Sequence, residues 1–377
     1  MPWRDVSKMD EREEFVRLAS REGANRRELC RRFGIHPDTG YKWLARFAAG
    51  ETLSDRSRRP HTSPSHSGQD VEVRIADVRA AHPAWGARKI ARWLEERGIE
   101  CPAPSTVHAI LRRRGLVIAP QGGERAHLRF EAPAPNQLWQ MDFKGHFAMT
   151  DGGRCHPLTI IDDHSRYNIC LAACADERRL TVQGLLEKSF RRYGLPQAFF
   201  VDNGNPWGNL QGAPPDRSWT KLGVWLIRLG VDVIHSRPYH PQSRGKNERF
   251  HRSLKAEALA LNPIRDLRHA ARVFARWRHV YNCERPHEAL GMHVPASRYS
   301  ISSRAMPARL PVMQYDEGEI VRIVPTTKDY IRWRGRFCKV PQALRGETVA
   351  IRPLSTDGHY GVFFGAHQIT IIDLTES

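Results

Sequence analysis

The stretch SRPYHPQSRGKNERFHRSLKAE, residues 236–257, decides the fold. Pro238, Pro241 and Gly245 punctuate its first half, and a helical pattern begins near Lys246. Phe250, Leu254, Ala258 and Leu261 recur at the spacing of one helical face. Glu248, Arg252 and Lys255 fall on a neighbouring face. One acid is thus carried on a helix packed from behind and basic in front. A carboxylate held beside cations suits a metal-dependent enzyme acting on a polyanion. Taken alone, the stretch is read equally well as an exposed Glu in ordinary i,i+4 ion pairs.

Two further acids shift that balance. Asp142 sits in LWQMDFKGHF, a run of strand-forming residues. Asp202 ends the apolar run QAFFVDNG at an Asn-Gly turn signal. An acid that interrupts or ends a buried strand is costly to place there. Two acids on strands and one on a helix, converging at one sheet edge, make a hard-oxygen site for Mg²⁺ or Mn²⁺.

QMDF, VDNG and HPQSRGKNERFHRSLKAE resemble the three blocks of the DDE transposases of bacterial insertion sequences, within the retroviral-integrase superfamily. The third block is the most specific, and recognisable flanking sequence runs from about Asn136 to Leu290. The resemblance implies an RNase H-like core. It implies Asp142, Asp202 and Glu248 as catalytic residues and ligands of two Mg²⁺ ions (Mn²⁺ as the alternative), with Asp142 bridging both. It further implies cleavage of transposon ends and joining of the freed 3′-OH to target DNA. Lys246, Arg249, Arg252 and Lys255 are candidate phosphate contacts. The gap between Asp202 and Glu248 is longer than in many members, the excess lying in NGNPWGNLQGAPPDRSW. A mobile flap or a tolerated insertion explains it.

The 377 residues allow several domains, and a formal net charge of +18 points to nucleic acid or an acidic surface. No apolar run is long enough to span a bilayer, and the first residues lack a secretory h-region, so a cytoplasmic, nucleoid-associated protein is expected. The seven cysteines form no CxxC pair, so a structural zinc site is not expected. The zinc-binding N-terminal domain of retroviral integrases does not carry over.

Residues 1–49 read as a helix-turn-helix unit. ANRRELCRRFGIHPDTGYKWLARF gives helix, turn at Gly34 and second helix, with Ile35 placed to plug the core and Tyr41 and Leu44 recurring at helix spacing. His36, Asp38, Thr39, Lys42 and Arg46 are the candidates to enter a major groove. Residues 50–70 read as a linker, in which Arg58 and Arg59 either follow DNA phosphates or are simply solvated. Residues 71–118 read as a second three-helix DNA-binding unit, with Arg88, Lys89 and Arg112 to Arg114 near its ends, and 119–136 as another linker. The catalytic core is expected over 137–300, as an α/β layer fold beginning with three strands. Over 305–377, short alternating strands suggest a small β-barrel similar to SH3-like integrase domains, with Arg332, Arg334, Arg336 and Lys339 as a basic face. The expected partner is double-stranded DNA, with no membrane, bound by a homodimer or larger assembly that brings two transposon ends together.

Three secondary features have competing readings. Asp162 and Asp163 in IIDDHSR are a functional pair or turn-forming acids. His235, His240 and His251 fit surface or phosphate-contact roles better than a zinc cluster. Trp139, Trp207, Trp219 and Trp225 read as core or loop anchors rather than base-stacking platforms.

Overall fold

The computed structural model describes residues 8–55, 67–117, 130–204, 206–208, 219–235 and 245–375. Arg58, Arg59, His240, the HPQS segment and most of the 203–219 loop lie outside the described residues. Two compact units partition the chain, residues 1–66 and 67–377.

In the first unit, α1 (Lys8–Ala19), α2 (Arg26–Arg32) and α3 (Pro37–Ala48) pack around Phe15, Val16, Cys30 and Trp43. Asn25 caps α2 through the N–H of Glu28, and Pro37 opens α3. Gly34 takes φ +64° in the turn between them, as expected of its position. Ile35 packs against the core, but Tyr41 is exposed and Trp43 takes the buried place. Gly40 has no room for a Cβ, which would meet Cys30 Sγ at 2.5 Å and the Phe15 ring at 2.8 Å. That close approach lets α3 lie across α1 and α2.

The second unit begins with α4 (Gln69–Ala81), α5 (Ala87–Glu95) and α6 (Pro104–Arg113), packed around Ile75, Trp85, Ile90, Leu94 and Ile110. Gly98 and Gly115 follow α5 and α6 with positive φ, the left-handed stop expected there. Arg113 and Arg114 both pair with the buried carboxylate of Glu72, so part of the expected basic cluster is structural.

The core sheet is mixed. β1 (Leu138–Phe143) and the short β2 (Phe147–Ala148) both pair antiparallel with β3 (Arg154–Asp162), which pairs antiparallel with β4 (Asn168–Cys174). On its other edge β1 pairs parallel with β5 (Ala198–Val201), and β5 with β6 (Asp232–His235). LWQMDFKGHFAMT was expected to be one strand, and Lys144–His146 breaks it in two. Trp139, Met141, Phe199 and Val201 point to one face, where α7 (Arg179–Tyr193) and α8 (Lys221–Arg228) cover them with Leu186, Phe190, Leu222 and Trp225. On the opposite face Ile161 and Leu171 meet α9 (Gly245–Leu254) and α10 (Leu267–Cys283). A sheet of this order with helices on both faces is the RNase H-like core expected from the sequence.

The C-terminal part is all-β. β7 (Ile320–Ile323), β10 (Thr348–Pro353), β11 (His359–Phe364) and β12 (His367–Asp373) form one antiparallel sheet, and β8 (Tyr330–Trp333) pairs with β9 (Arg336–Lys339) in another. The two share an apolar core through Ile331, Trp333, Val349, Val362 and Phe364. Among the described residues no ladder joins the sheets, so the closure expected of a barrel is not seen. Val224 and Ile227 of α8 enter this second core, while Leu222, Trp225 and Leu226 stay with the first. Among the described residues, no helix is long and apolar enough to cross a membrane.

Candidate active site

Parallel pairing sets Leu138 opposite Ala198, Trp139 opposite Phe199 and Gln140 opposite Phe200. Continuing that register by two residues sets Asp142 opposite Asp202. Side chains alternate along a strand. Asp142 and Asp202 therefore take the face opposite to Met141 and Val201, which is the face of α9. On that register both acids fall at the carboxyl ends of adjacent parallel strands, Asp142 within β1 and Asp202 just after β5. In open α/β sheets this is where ligand crevices form.

The turn after β5 is fixed locally. Asp202 Oδ1 accepts the N–H of Gly204 at 3.1 Å, and buried His235 donates Nδ1–H to the Asp202 carbonyl at 3.0 Å. Burial lowers the pKa of His235, so the ring is neutral and its proton is held at Nδ1 by that bond. Trp207 then stacks on Phe143, ring centroids 6.0 Å apart, tying the turn to the end of β1.

Glu248 lies in the first turn of the described part of α9 and is exposed. It has no hydrogen-bond or ion-pair partner among the described residues. Phe250, Leu254 and Ala258 fill the face behind it, with Phe250 edge-on to Trp277 at 5.2 Å and to Tyr281 at 4.8 Å. Such aromatic pairs add about 0.5–1.5 kcal/mol each beyond area burial. Leu261, expected on the same stripe, is exposed, because a π-helical turn at Lys255–Leu259 rotates the face. Arg249, Arg252 and Lys255 are exposed on the same helix.

Lys246 departs from expectation. Its ammonium pairs with Asp163, which is wholly buried and also accepts the Ala132 N–H at 2.7 Å and Gln140 Nε2–H at 2.7 Å. A lysine committed inward in this way serves the packing of α9 rather than a phosphate. Asp162 takes the turn role: its carboxylate accepts the N–H of Ser165 at 2.8 Å and of Asn136 at 2.7 Å. Arg46 is likewise turned inward, donating to the Ser54 carbonyl at 3.2 Å with its guanidinium 4.9 Å from the Trp43 ring. His36, Asp38, Thr39 and Lys42 remain exposed along α3. Trp139, Trp207, Trp219 and Trp225 are buried, as core anchors should be.

His251 is not a surface residue. It is half-buried, and its Nε2 lies 2.9 Å from Thr159 Oγ1, which also donates to the Asp142 carbonyl at 2.9 Å. Thr159 was not singled out in the sequence. The signal available was its place opposite Asp142 in the hairpin, as a lone hydroxyl in the apolar run HPLTIID.

Among the described residues, no three acidic, His or Cys side chains form a ready-made ligand set. Asp142 and Asp202 share a strand end, and Glu248 approaches on the helix that packs against β1. All three side chains offer only carboxylate oxygens, which would suit a hard divalent cation better than zinc.

Models of known families cover most of the chain. The integrase core domain matches residues 132–241 and, in a second form, 229–295. A helix-turn-helix domain matches 11–61, a homeodomain-like domain 39–111 and the C-terminal domain of IS481 family transposases 320–377. The chain belongs to the bacterial insertion-sequence transposases of the DDE integrase superfamily. It is similar to the 31.7 kDa protein of insertion element IS407 of Burkholderia multivorans, at 26% identity over 64% of this chain and 84% of that one. The 39.2 kDa protein of IS476 of Xanthomonas euvesicatoria is 26% identical over 75% of this chain and 79% of its own. The transposase InsD of insertion element IS2 of Escherichia coli is 26% identical over 64% and 80%. Among solved structures, the catalytic core domain of BIV integrase is 21% identical, covering 43% of this transposase and 92% of that chain at a TM-score of 0.32.

Proposed function

We propose that this transposase binds the terminal repeats of its insertion element, cleaves the ends and joins the freed 3′-OH to target DNA. The observation that carries the catalytic part is the pairing of β1 with β5. Its register, continued by two residues, supports setting Asp142 beside Asp202, with Glu248 on the helix that packs against β1. In this reading Asp142, Asp202 and Glu248 hold two Mg²⁺ ions, or Mn²⁺ in their place. Bound there, divalent ions would supply Lewis-acid activation of the attacking oxygen and charge compensation at the leaving one.

The chain's own residues do the rest. A water oxygen attacks the phosphorus at the transposon end, and the P–O3′ bond breaks to leave a 3′-OH. That hydroxyl then attacks a target phosphodiester in line, forming one P–O bond as another breaks. One phosphodiester is exchanged for another, so no ATP is needed. Arg249, Arg252 and Lys255, exposed beside Glu248, hold the phosphate backbone as charge-assisted donors. Lys42 and the exposed start of α3 enter the major groove of the repeat, and Arg58 and Arg59 follow the adjacent phosphates. The C-terminal sheets offer Arg332, Arg334, Arg336 and Lys339 to DNA. Two or more copies act together on a pair of ends.

The test is end cleavage and strand joining on terminal-repeat DNA with Mg²⁺. Asp142→Asn, Asp202→Asn and Glu248→Gln each lose about a thousandfold or more in joining rate, because several kcal/mol of transition-state stabilisation is removed and each 1.4 kcal/mol is tenfold. Footprints on the repeat stay intact. Joining at the wild-type rate by any of the three rejects the mechanism, and a wild-type footprint that never yields junctions identifies a binding protein instead.

A further inference from the structure

Two polar contacts tie α9 to the sheet, and they bracket Glu248. Two residues before it, Lys246 pairs with buried Asp163. Three residues after it, His251 reaches Thr159, which is wholly buried and directly opposite Asp142 in the β1–β3 ladder. The protons on this second contact can be counted. A threonine hydroxyl has one proton, and a carbonyl oxygen only accepts. Thr159 gives its proton to the Asp142 carbonyl, so His251 must be the donor, through Nε2–H. A continuous chain of directed bonds therefore runs from the backbone of Asp142 to the helix of Glu248.

The need for such a chain is electrostatic. Two carboxylates 4 Å apart repel by about 4 kcal/mol at an effective dielectric near 20. The elements that carry them need an attachment independent of the acids themselves. Phe250 and Leu254 supply apolar contact with the sheet, but burial has no preferred direction. A hydrogen bond weakens steeply as its angle departs from linear, so it fixes rotation as well as distance.

We propose that Thr159 and His251 are positioning residues, which set the helix of Glu248 against the strand end of Asp142 at the separation that divalent-cation binding requires. The proposal rests on the reading of these two acids as ligands of shared ions. Neither Thr159 nor His251 touches the reacting atoms. Loss of such supporting partners in metal sites costs about 10–100-fold in affinity or activity.

The experiment uses the full chain with Thr159→Val, Thr159→Ser, His251→Leu, His251→Gln and Asp142→Asn. Three readouts are taken: Mn²⁺ affinity by electron paramagnetic resonance without DNA, strand joining across a Mg²⁺ series, and the thermal unfolding midpoint. Thr159→Val and His251→Leu are expected to weaken Mn²⁺ binding about tenfold or more and to move the Mg²⁺ dependence of joining by a similar factor. Thr159→Ser restores most of the loss because the hydroxyl is kept. His251→Gln restores part, because its amide still donates. Unchanged Mn²⁺ affinity in Thr159→Val and His251→Leu overturns the proposal, as does an equal loss in Thr159→Val and Thr159→Ser that tracks a lowered midpoint. In both cases inactive Asp142→Asn leaves the catalytic reading standing. Wild-type Mn²⁺ binding and joining by Asp142→Asn removes the catalytic reading and the positioning role with it.

Discussion

His251 is kept neutral by its surroundings. Burial, with Lys144 nearby, lowers its pKa to about 4. The unfolded chain takes up a proton near pH 6.5, where the folded one does not. Folded stability is therefore lost as pH falls from about 6.5 towards 4, at up to 1.4 kcal/mol per pH unit for this one proton. Burial lowers His82, His235 and His287 in the same direction, so these histidines add to the trend, while buried Asp162, raised by desolvation, opposes it. Urea unfolding of His251→Gln between pH 7 and pH 4 is expected to show a shallower loss than the parent, and parallel curves would show that His251 contributes nothing. Asp163 makes a second residue-scale case. Removing its cation in Lys246→Met leaves a buried unpaired carboxylate, with an expected loss of about 3–5 kcal/mol. The double variant Lys246→Met, Asp163→Asn recovers most of it, and equilibrium unfolding measures both. Sequence spacing did place Lys246 and Arg46 on their helices. It did not show which way a long flexible side chain turns, because that depends on acids and carbonyls brought in by other elements, here Asp163 and Ser54.

Elements were more legible than residues, for a physical reason. The stripe of Phe250, Leu254 and Ala258 obeys helical periodicity because all three bury against Trp277 and its neighbours. The acids at the ends of β1 and β5 stand out because apolar strands rarely carry charge. Their shared register was not legible, since parallel pairing joins segments that no local pattern connects. The break between β1 and β2 is a one-residue irregularity in pairing with β3, and the local signal for it is Gly145, which takes φ +82° there. Gly194, read as a helix stop, has a second duty. It takes φ +74°, and a Cβ there would meet the backbone oxygens of Ser302 at 2.7 Å and Arg304 at 2.8 Å. The segment around Ser302 and Arg304 is laced to the core by bonds to Tyr193, Leu195 and Pro196. Gly194→Ala is expected to cost about 1–3 kcal/mol in backbone strain alone, and more as the segment is pushed away. An unchanged unfolding midpoint would show that the segment yields freely.

At the scale of the whole molecule, charge and linkage matter most. In the proposed function, net +18 over the chain acts through phosphate contacts that release counterions. Six or more such contacts would cost about 10³-fold or more in DNA affinity between 50 and 200 mM salt, and binding that ignores salt would contradict the charge argument. The second unit is one body in which α8 faces two cores, and Arg228 adds an ion pair to Glu347 at 3.0 Å. The C-terminal sheets are thereby seated on the same helix that follows the Asp202 turn. That dual role was not legible in WTKLGVWLIRLG, where Lys221 and Arg228 mark one polar face but the apolar run 224–227 gives no hint of how it is divided between two cores.

The central claim is that Asp142, Asp202 and Glu248 serve one pair of ions. Anomalous diffraction from crystals of the full chain with a terminal-repeat duplex and Mn²⁺ tests it most directly. The expected map shows manganese within ligand distance of Asp142 and Asp202 carboxylate oxygens, with Glu248 completing the set. Manganese bound elsewhere, with the Glu248 carboxylate turned away from both aspartates, would contradict the account.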